Sequence, residues 1–208
     1  MTADLIGAVI GALPESEGRV VIGIAGAPGA GKTTLADEVT EELIRRYGEG
    51  AAVSVPMDGF HLANVELRRL GRADRKGAPD TFDALGYVAL LERLRRDVDD
   101  TVYAPAFDHV LNEGVAGSIP IHPGTRFIVT EGNYLLVPTA PWDRVRSLLD
   151  VAAFLEADDA QRLPGLLARQ RSKGLSEEAA REWVFRSDEA NARLIATTRD
   201  RAGLILRR

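Results

Sequence analysis

The eight residues Gly26-Ala27-Pro28-Gly29-Ala30-Gly31-Lys32-Thr33 follow the spacing G-x-x-x-x-G-K-[ST], and their flanks constrain the fold more than any other stretch. Val20 to Ala25 (VVIGIA) is a short apolar run of the kind that forms a buried parallel strand. Thr34 to Tyr47 sets Leu35, Val39, Leu43 and Tyr47 four apart, with Gly48 placed to end the run, and this predicts an amphipathic helix. Strand, glycine-rich turn and helix in that order make a phosphate-binding loop. Glycines let backbone N–H groups converge on an anion, and the positive end of the following helix adds to the field. The stretch through Thr34 is therefore expected to cradle the phosphates of a nucleoside triphosphate. Lys32 would lie along the terminal phosphates and the Thr33 hydroxyl would ligate Mg²⁺.

With 208 residues the chain is expected to form a single domain over its whole length, with room for a small inserted flap. The net charge of −5 argues against a general nucleic-acid-binding surface. There is no cysteine, which excludes disulfides, thiolate metal sites and cysteine nucleophiles and favours a cytoplasmic address. No Lys or Arg precedes the apolar residues of the N-terminal stretch and Asp4 interrupts them, so a secretory signal is not expected. Leu5, Ile6, Val9, Ile10 and Leu13 instead fit one face of a short helix. Val20 to Gly31, an uncharged stretch that no other exceeds in length, is too short and glycine-rich to span a bilayer. The oligomeric state stays open, a homodimer included.

Further strands are expected at Ala51 to Met57, Arg126 to Thr130, Val151 to Leu155 and Gly203 to Leu206. Helices are expected at Leu62 to Leu70, Ala84 to Val98, Pro141 to Asp150, Asp158 to Lys173 and Ser176 to Thr198. Ser176 followed by Glu177 and Glu178 suits the start of the last of these. Thr101 to Phe107 looks extended, and the glycine- and proline-containing stretch after it, about residues 108–124, suggests a hairpin or flap. Alternating strands and helices predict a three-layer α/β/α fold on a mostly parallel sheet, with ligands gathered beyond the carboxyl ends of the strands.

A phosphate-binding loop serves switches, motors and kinases alike, so the reaction must be sought in carboxylates at neighbouring strand ends. Asp58, after AAVSVPM, and Glu131, after RFIVT, are the two candidates. A carboxylate that accepts the proton of an attacking hydroxyl is the expected general base, and Asp58 is our choice for it. Glu131 would hold Mg²⁺ directly or through water. The structural alternatives are a turn aspartate in Asp58-Gly59 and a strand-ending glutamate before Gly132.

Beyond the loop, the runs Pro56-Met57-Asp58-Gly59-Phe60-His61, Tyr103 to His109 and Glu131-Gly132-Asn133-Tyr134 follow in order. Together they resemble the uridine kinase, phosphoribulokinase and pantothenate kinase family, and within it a branch labelled fructose-transport-system or nucleoside-triphosphate-dependent kinases. The resemblance covers about residues 23–195. It implies a P-loop kinase with a helical lid, ATP and Mg²⁺ as cofactors, and transfer of the γ-phosphate to a hydroxyl of a small metabolite. It implies Asp58 as base, Glu131 as metal support, and Phe60, His61, Asp108, His109, Asn133 and Tyr134 about the acceptor. The matching lid spans about residues 158–175 and carries Arg162, Arg169, Arg171 and Lys173. Pro164-Gly165 interrupts it where a proline shortens or kinks a helix, so only Arg169 and Arg171 are carried over as nucleotide-binding. Arg186-Ser187-Asp188-Glu189-Ala190-Asn191 also has the look of the family, with no role that its chemistry assigns.

The basic run Arg68, Arg69, Arg72, Arg75 and Lys76 would bind a phosphate on the acceptor or else form a solvated face. The alternative to a kinase is a nucleotide-binding regulatory or accessory ATPase with no metabolite acceptor. A GTPase would show an N-K-x-D run, and the chain has none. Nothing in the sequence reads the acceptor itself.

Overall fold

The computed structural model describes residues 2–208. Five strands make one sheet in the order β2-β5-β1-β6-β7, with every neighbouring pair parallel. They are β1 (Val20–Gly26), β2 (Ala52–Ser54), β5 (Phe127–Gly132), β6 (Val151–Glu156) and β7 (Leu204–Arg207). A separate antiparallel ribbon joins β3 (Val102–Asp108) to β4 (Glu113–Ile121). The expected flap is thus one arm of a two-stranded ribbon whose other arm is the extended 101–107 segment.

Period-two alternation assigns each strand residue to one of two apolar layers. Val20, Ile22 and Ile24 of β1 join Phe127 and Val129 of β5 beneath α1 (Thr2–Gly11) and α2 (Lys32–Tyr47). Val21, Ala25 and Ile128 face the other way, toward Tyr87, Val88 and Leu91 of α4 (Ala84–Arg96). Because both faces are covered, β1 and β5 are buried throughout, which explains their unbroken apolar runs. Among the described residues no helix is long and apolar enough to cross a membrane.

The strand expected over residues 51–57 stops at Ser54, on the sheet edge. Pro56 has no N–H to donate to a ladder, and the chain turns into a 3₁₀ turn at Met57–Phe60. That turn is held from below. The Thr130 hydroxyl donates to the Val55 carbonyl at 2.6 Å, which leaves the buried Tyr87 hydroxyl to donate to Thr130 at 2.7 Å. The stretch 141–150 likewise forms a 3₁₀ helix, Trp142–Leu148.

The remaining helices are α3 (Asn64–Arg69), α5 (Asp159–Ser172), α6 (Glu177–Trp183) and α7 (Glu189–Ala196). The single helix expected over 176–198 is α6 and α7 joined by a π-helical turn at Val184–Asp188. The Ser176 side chain caps its start, accepting from Ala179 N at 3.2 Å. α5 continues through Pro164. The carbonyl of Ala160, which loses its helical donor there, belongs to an exposed residue that water can satisfy.

Gly59 is the point where the Asp58 turn meets the ribbon: a Cβ at that position would collide with the Pro105 carbonyl oxygen. Gly59→Ala should therefore destabilise the fold by about 1–3 kcal/mol, read as a lower midpoint in urea unfolding. An unchanged midpoint would mean that the ribbon yields without strain.

Candidate active site

The loop after β1 has the backbone its glycines allow. Gly29 and Gly31 take φ values of +78° and +88°, in the left-handed region that other residues avoid. α2 begins at Lys32, so the unpaired N–H groups of its first turn adjoin the loop. Lys32 is 8% exposed and its Nζ donates to Ala27 O at 3.0 Å and to Asn133 Oδ1 at 2.7 Å. Burial lowers its pKa below the usual lysine value, while Glu131 and then Asp58 pull it back up.

The parallel register pairs Ile24 with Glu131 and Ala25 with Gly132, so β5 ends beside the start of the loop. The Thr33 hydroxyl donates to Glu131 Oε1 at 3.0 Å. Glu131 is 5% exposed, and burial holds its pKa well above the ordinary carboxylate range against the pull of Lys32. Among the described residues no cluster of three or more His, Cys, Asp or Glu could hold a metal. A hydroxyl and a single carboxylate beside a phosphate cradle instead suit a divalent ion that takes its other oxygens from water and phosphate. The cradle, Lys32 and the Thr33–Glu131 pair thus fit a nucleotide with Mg²⁺.

Past this edge lies a cavity of about 610 Å³. Asp58, His61, His109, Asn133 and Arg169 all line it. The His61 Nδ1 sits 2.8 Å from the Asp58 carbonyl oxygen, which can only accept. The proton is accordingly on Nδ1, and Nε2 is left as an acceptor. Burial lowers the His61 pKa and favours this neutral ring, which packs on Phe82 at 4.0 Å and Phe107 at 4.7 Å.

Four expected residues stand elsewhere. Arg171 is exposed, pairs with Glu177 at 3.1 Å and is no part of the cavity wall. Asp108 accepts from Val110 N at 2.8 Å and Leu111 N at 2.9 Å, closing the turn of the ribbon. Phe60 packs edge-on against Tyr87 at 5.2 Å. Tyr134 is fully buried and donates its hydroxyl to the Gly77 carbonyl, so it shapes the cavity's rim from behind. In each case the side chain meets a nearer partner that the sequence pattern does not display.

Residues that the sequence named without carrying them into the site also border it. Arg162 is 4% exposed, between Asp159 at 2.9 Å and Glu189, and its Nη1 has no partner. Its backbone lies against the loop, since a Cβ on Gly29 would stand 3.0 Å from Arg162 O. The π-helical turn brings Asp188 and Asn191 to the cavity, beside Arg169 and Lys173 of the α5 end. Only the run 186–191 signalled them, and only as a pattern.

The matched family is described as the phosphoribulokinase/uridine kinase family, and its model covers residues 21–208. A Schizosaccharomyces pombe protein that carries the name uridine kinase is 35% identical, over 86% of this chain and 79% of its own. A pantothenate kinase of Mesorhizobium japonicum is 30% identical, over 90% of this chain and 67% of its own. The crystal structure of a Silicibacter sp. TM1040 protein that carries the name fructose transport system kinase superposes with a TM-score of 0.88. It is 36% identical, with 99% of this chain and 98% of that one covered.

Burial pushes the Asp188 carboxyl up to about 6, against the pull of Arg169 and Lys173. A carboxyl raised in the folded state weakens folding once it must ionise: not below its unfolded pKa near about 4, and fully above about pH 6. Asp188→Asn should therefore raise stability by about 1–3 kcal/mol at pH 8, a gain that fades toward zero by about pH 4. Thermal unfolding across that range tests it, and a gap independent of pH would refute the burial of this charge. The phosphate cradle, the buried lysine and the matching sequence model make this chain a kinase of the phosphoribulokinase/uridine kinase family, one that transfers phosphate to a small metabolite.

Proposed function

We propose that the acceptor is an alcohol and that Asp58 is its general base, with ATP as donor. The observation that carries this reading is a shared side chain. Asn133 holds Lys32 of the phosphate cradle on one side and lines the cavity that contains Asp58 on the other. An acceptor in that cavity lies between a carboxylate and the cradle, as in-line transfer demands.

ATP with Mg²⁺ supplies the transferable group and neutralises part of its charge. Asp58 takes the proton of the attacking hydroxyl, and His61, through its unprotonated Nε2, accepts from another donor of the acceptor and so orients it. Lys32 would hold the terminal phosphates, and the Thr33 hydroxyl and Glu131 would hold the divalent ion. Arg169, on the face of α5 toward the cavity, adds positive charge at the phosphates, and α5 with α6 serves as the lid. The β3–β4 ribbon forms the outer wall of the acceptor side.

Asp58→Asn should lower transfer to hydroxyl acceptors by about 10²–10⁴-fold and leave nucleotide affinity close to that of the parent. Lys32→Ala should abolish transfer through loss of charge at the terminal phosphates. Both are read with labelled ATP and a panel of hydroxyl metabolites, beside a control of ATP alone. Normal turnover by Asp58→Asn would remove the base from its role. Hydrolysis that no acceptor stimulates would favour an accessory ATPase instead.

A further inference from the structure

The basic run 68–76 separates in the folded chain. Arg69 pairs with Glu66 at 2.7 Å, and Arg72 and Arg75 pair with Asp80 at 3.3 and 2.8 Å. Lys76 alone of the five lines the cavity. Its Nζ donates to Asn64 Oδ1 at 2.6 Å and to the Asn112 carbonyl at 2.5 Å, and lies 5.4 Å from the Phe107 ring centre. Both acceptors are neutral. An ammonium has three donors, so one remains for the cavity.

No carboxylate among the described residues pairs with it. Glu113 is the acid whose field reaches Lys76, but both of its oxygens accept from Asn64 N at 3.0 Å. Lys173, at the end of α5, lines the same cavity, and its charge disfavours that of Lys76. Two ammonium groups, neither within ion-pair distance of a carboxylate among the described residues, thus share one cavity, where Asp188 and then Asp58 reach Lys173 through their fields alone. The loop has anchors besides Lys76. The neighbouring Gly77 carbonyl is already held by the Tyr134 hydroxyl and by Asn191 Nδ2, the latter at 3.2 Å.

We propose that the acceptor carries an anionic group, a carboxylate or a phosphate, bound by Lys76 of the 71–80 loop together with Lys173 just after α5. The proposal rests on the kinase reading above, and it divides the cavity. The hydroxyl end of the acceptor meets Asp58, and the anionic end meets the two lysines. A neutral acceptor would leave Lys76 with only the field of Glu113 and Lys173 with only those of Asp188 and Asp58. An anionic one neutralises them and ties the end of α5 to the loop across the cavity, so that its binding draws the lid down over the phosphates.

The test is calorimetric titration with the phosphate loop filled by a non-hydrolysable ATP analogue and Mg²⁺. Two matched pairs serve as probes: glycerate against glycerol for a carboxylate, and a hexose monophosphate against the free hexose for a phosphate. The charged member of at least one pair should bind tenfold or more tighter than its neutral partner, and the pair that does so names the source. Lys76→Met should bring that ratio to within threefold, Lys173→Met should reduce it partly, and Lys76→Arg should retain most of it. Equal binding within both pairs, no binding by either charged probe, or a preference that survives Lys76→Met would overturn the proposal. Should Lys76→Met not fold, Lys173→Met with Lys76→Arg decides, and an undiminished preference in the former overturns the pairing. Charged probes that bind yet are not phosphorylated when ATP is supplied would count against Asp58 as the base for their hydroxyls and leave the anion site standing.

Discussion

Lys32 is 8% exposed, and an ammonium withdrawn that far from water destabilises a fold by about several kcal/mol unless oxygens replace its hydration. Ala27 O and Asn133 Oδ1 supply two of them, and the carboxylates of Glu131 and Asp58 supply opposite charge nearby. Each comes from a different part of the chain: the loop itself, the segment after β5, the end of β5 and the turn after β2. The buried lysine therefore requires β1, β2 and β5 to be in register before it is tolerable. A sheet slipped by one residue would turn Glu131 to the other face and leave the ammonium without its acid. The parts of the site are in this sense conditions of one another.

A second set of contacts joins the segments that border the cavity. The Gly77 carbonyl receives both the Tyr134 hydroxyl and Asn191, so the loop after α3, the end of β5 and α7 meet at one oxygen. The π-helical turn sets this up. One wide turn between α6 and α7 rotates the second helix relative to the first and brings Asp188 and Asn191 to the same wall. Asp188 keeps Oδ2 buried without a partner, a cost accepted beside the two cations of α5. Wide turns and under-satisfied carboxylates of this kind are common where a ligand completes the arrangement.

Much of the architecture was legible in the residues. Buried parallel strands carry unbroken apolar runs, and Val20 to Ala25 and Phe127 to Thr130 show them without ambiguity. The glycines at 29 and 31 mark a loop whose left-handed angles other residues rarely adopt. The edge was harder. Ala51 to Met57 has the composition of a strand, but Pro56 and the edge position end it early. The proline at 164 sat in a helix that tertiary packing holds together, so Arg162 lies buried against the loop where a local rule placed doubt.

The sequence by itself determined the phosphate-binding loop, the parallel three-layer fold and Glu131 near the end of its strand, because local spacing and apolar periodicity encode all three. Only the tertiary structure decided which of many charged side chains face the cavity. Arg69, Arg72, Arg75 and Arg171 are taken up by Glu66, Asp80 and Glu177, while Lys76 and Lys173 are left to the interior. An ion pair depends on a few ångströms between chain segments, and a charge read along a sequence carries no record of that distance.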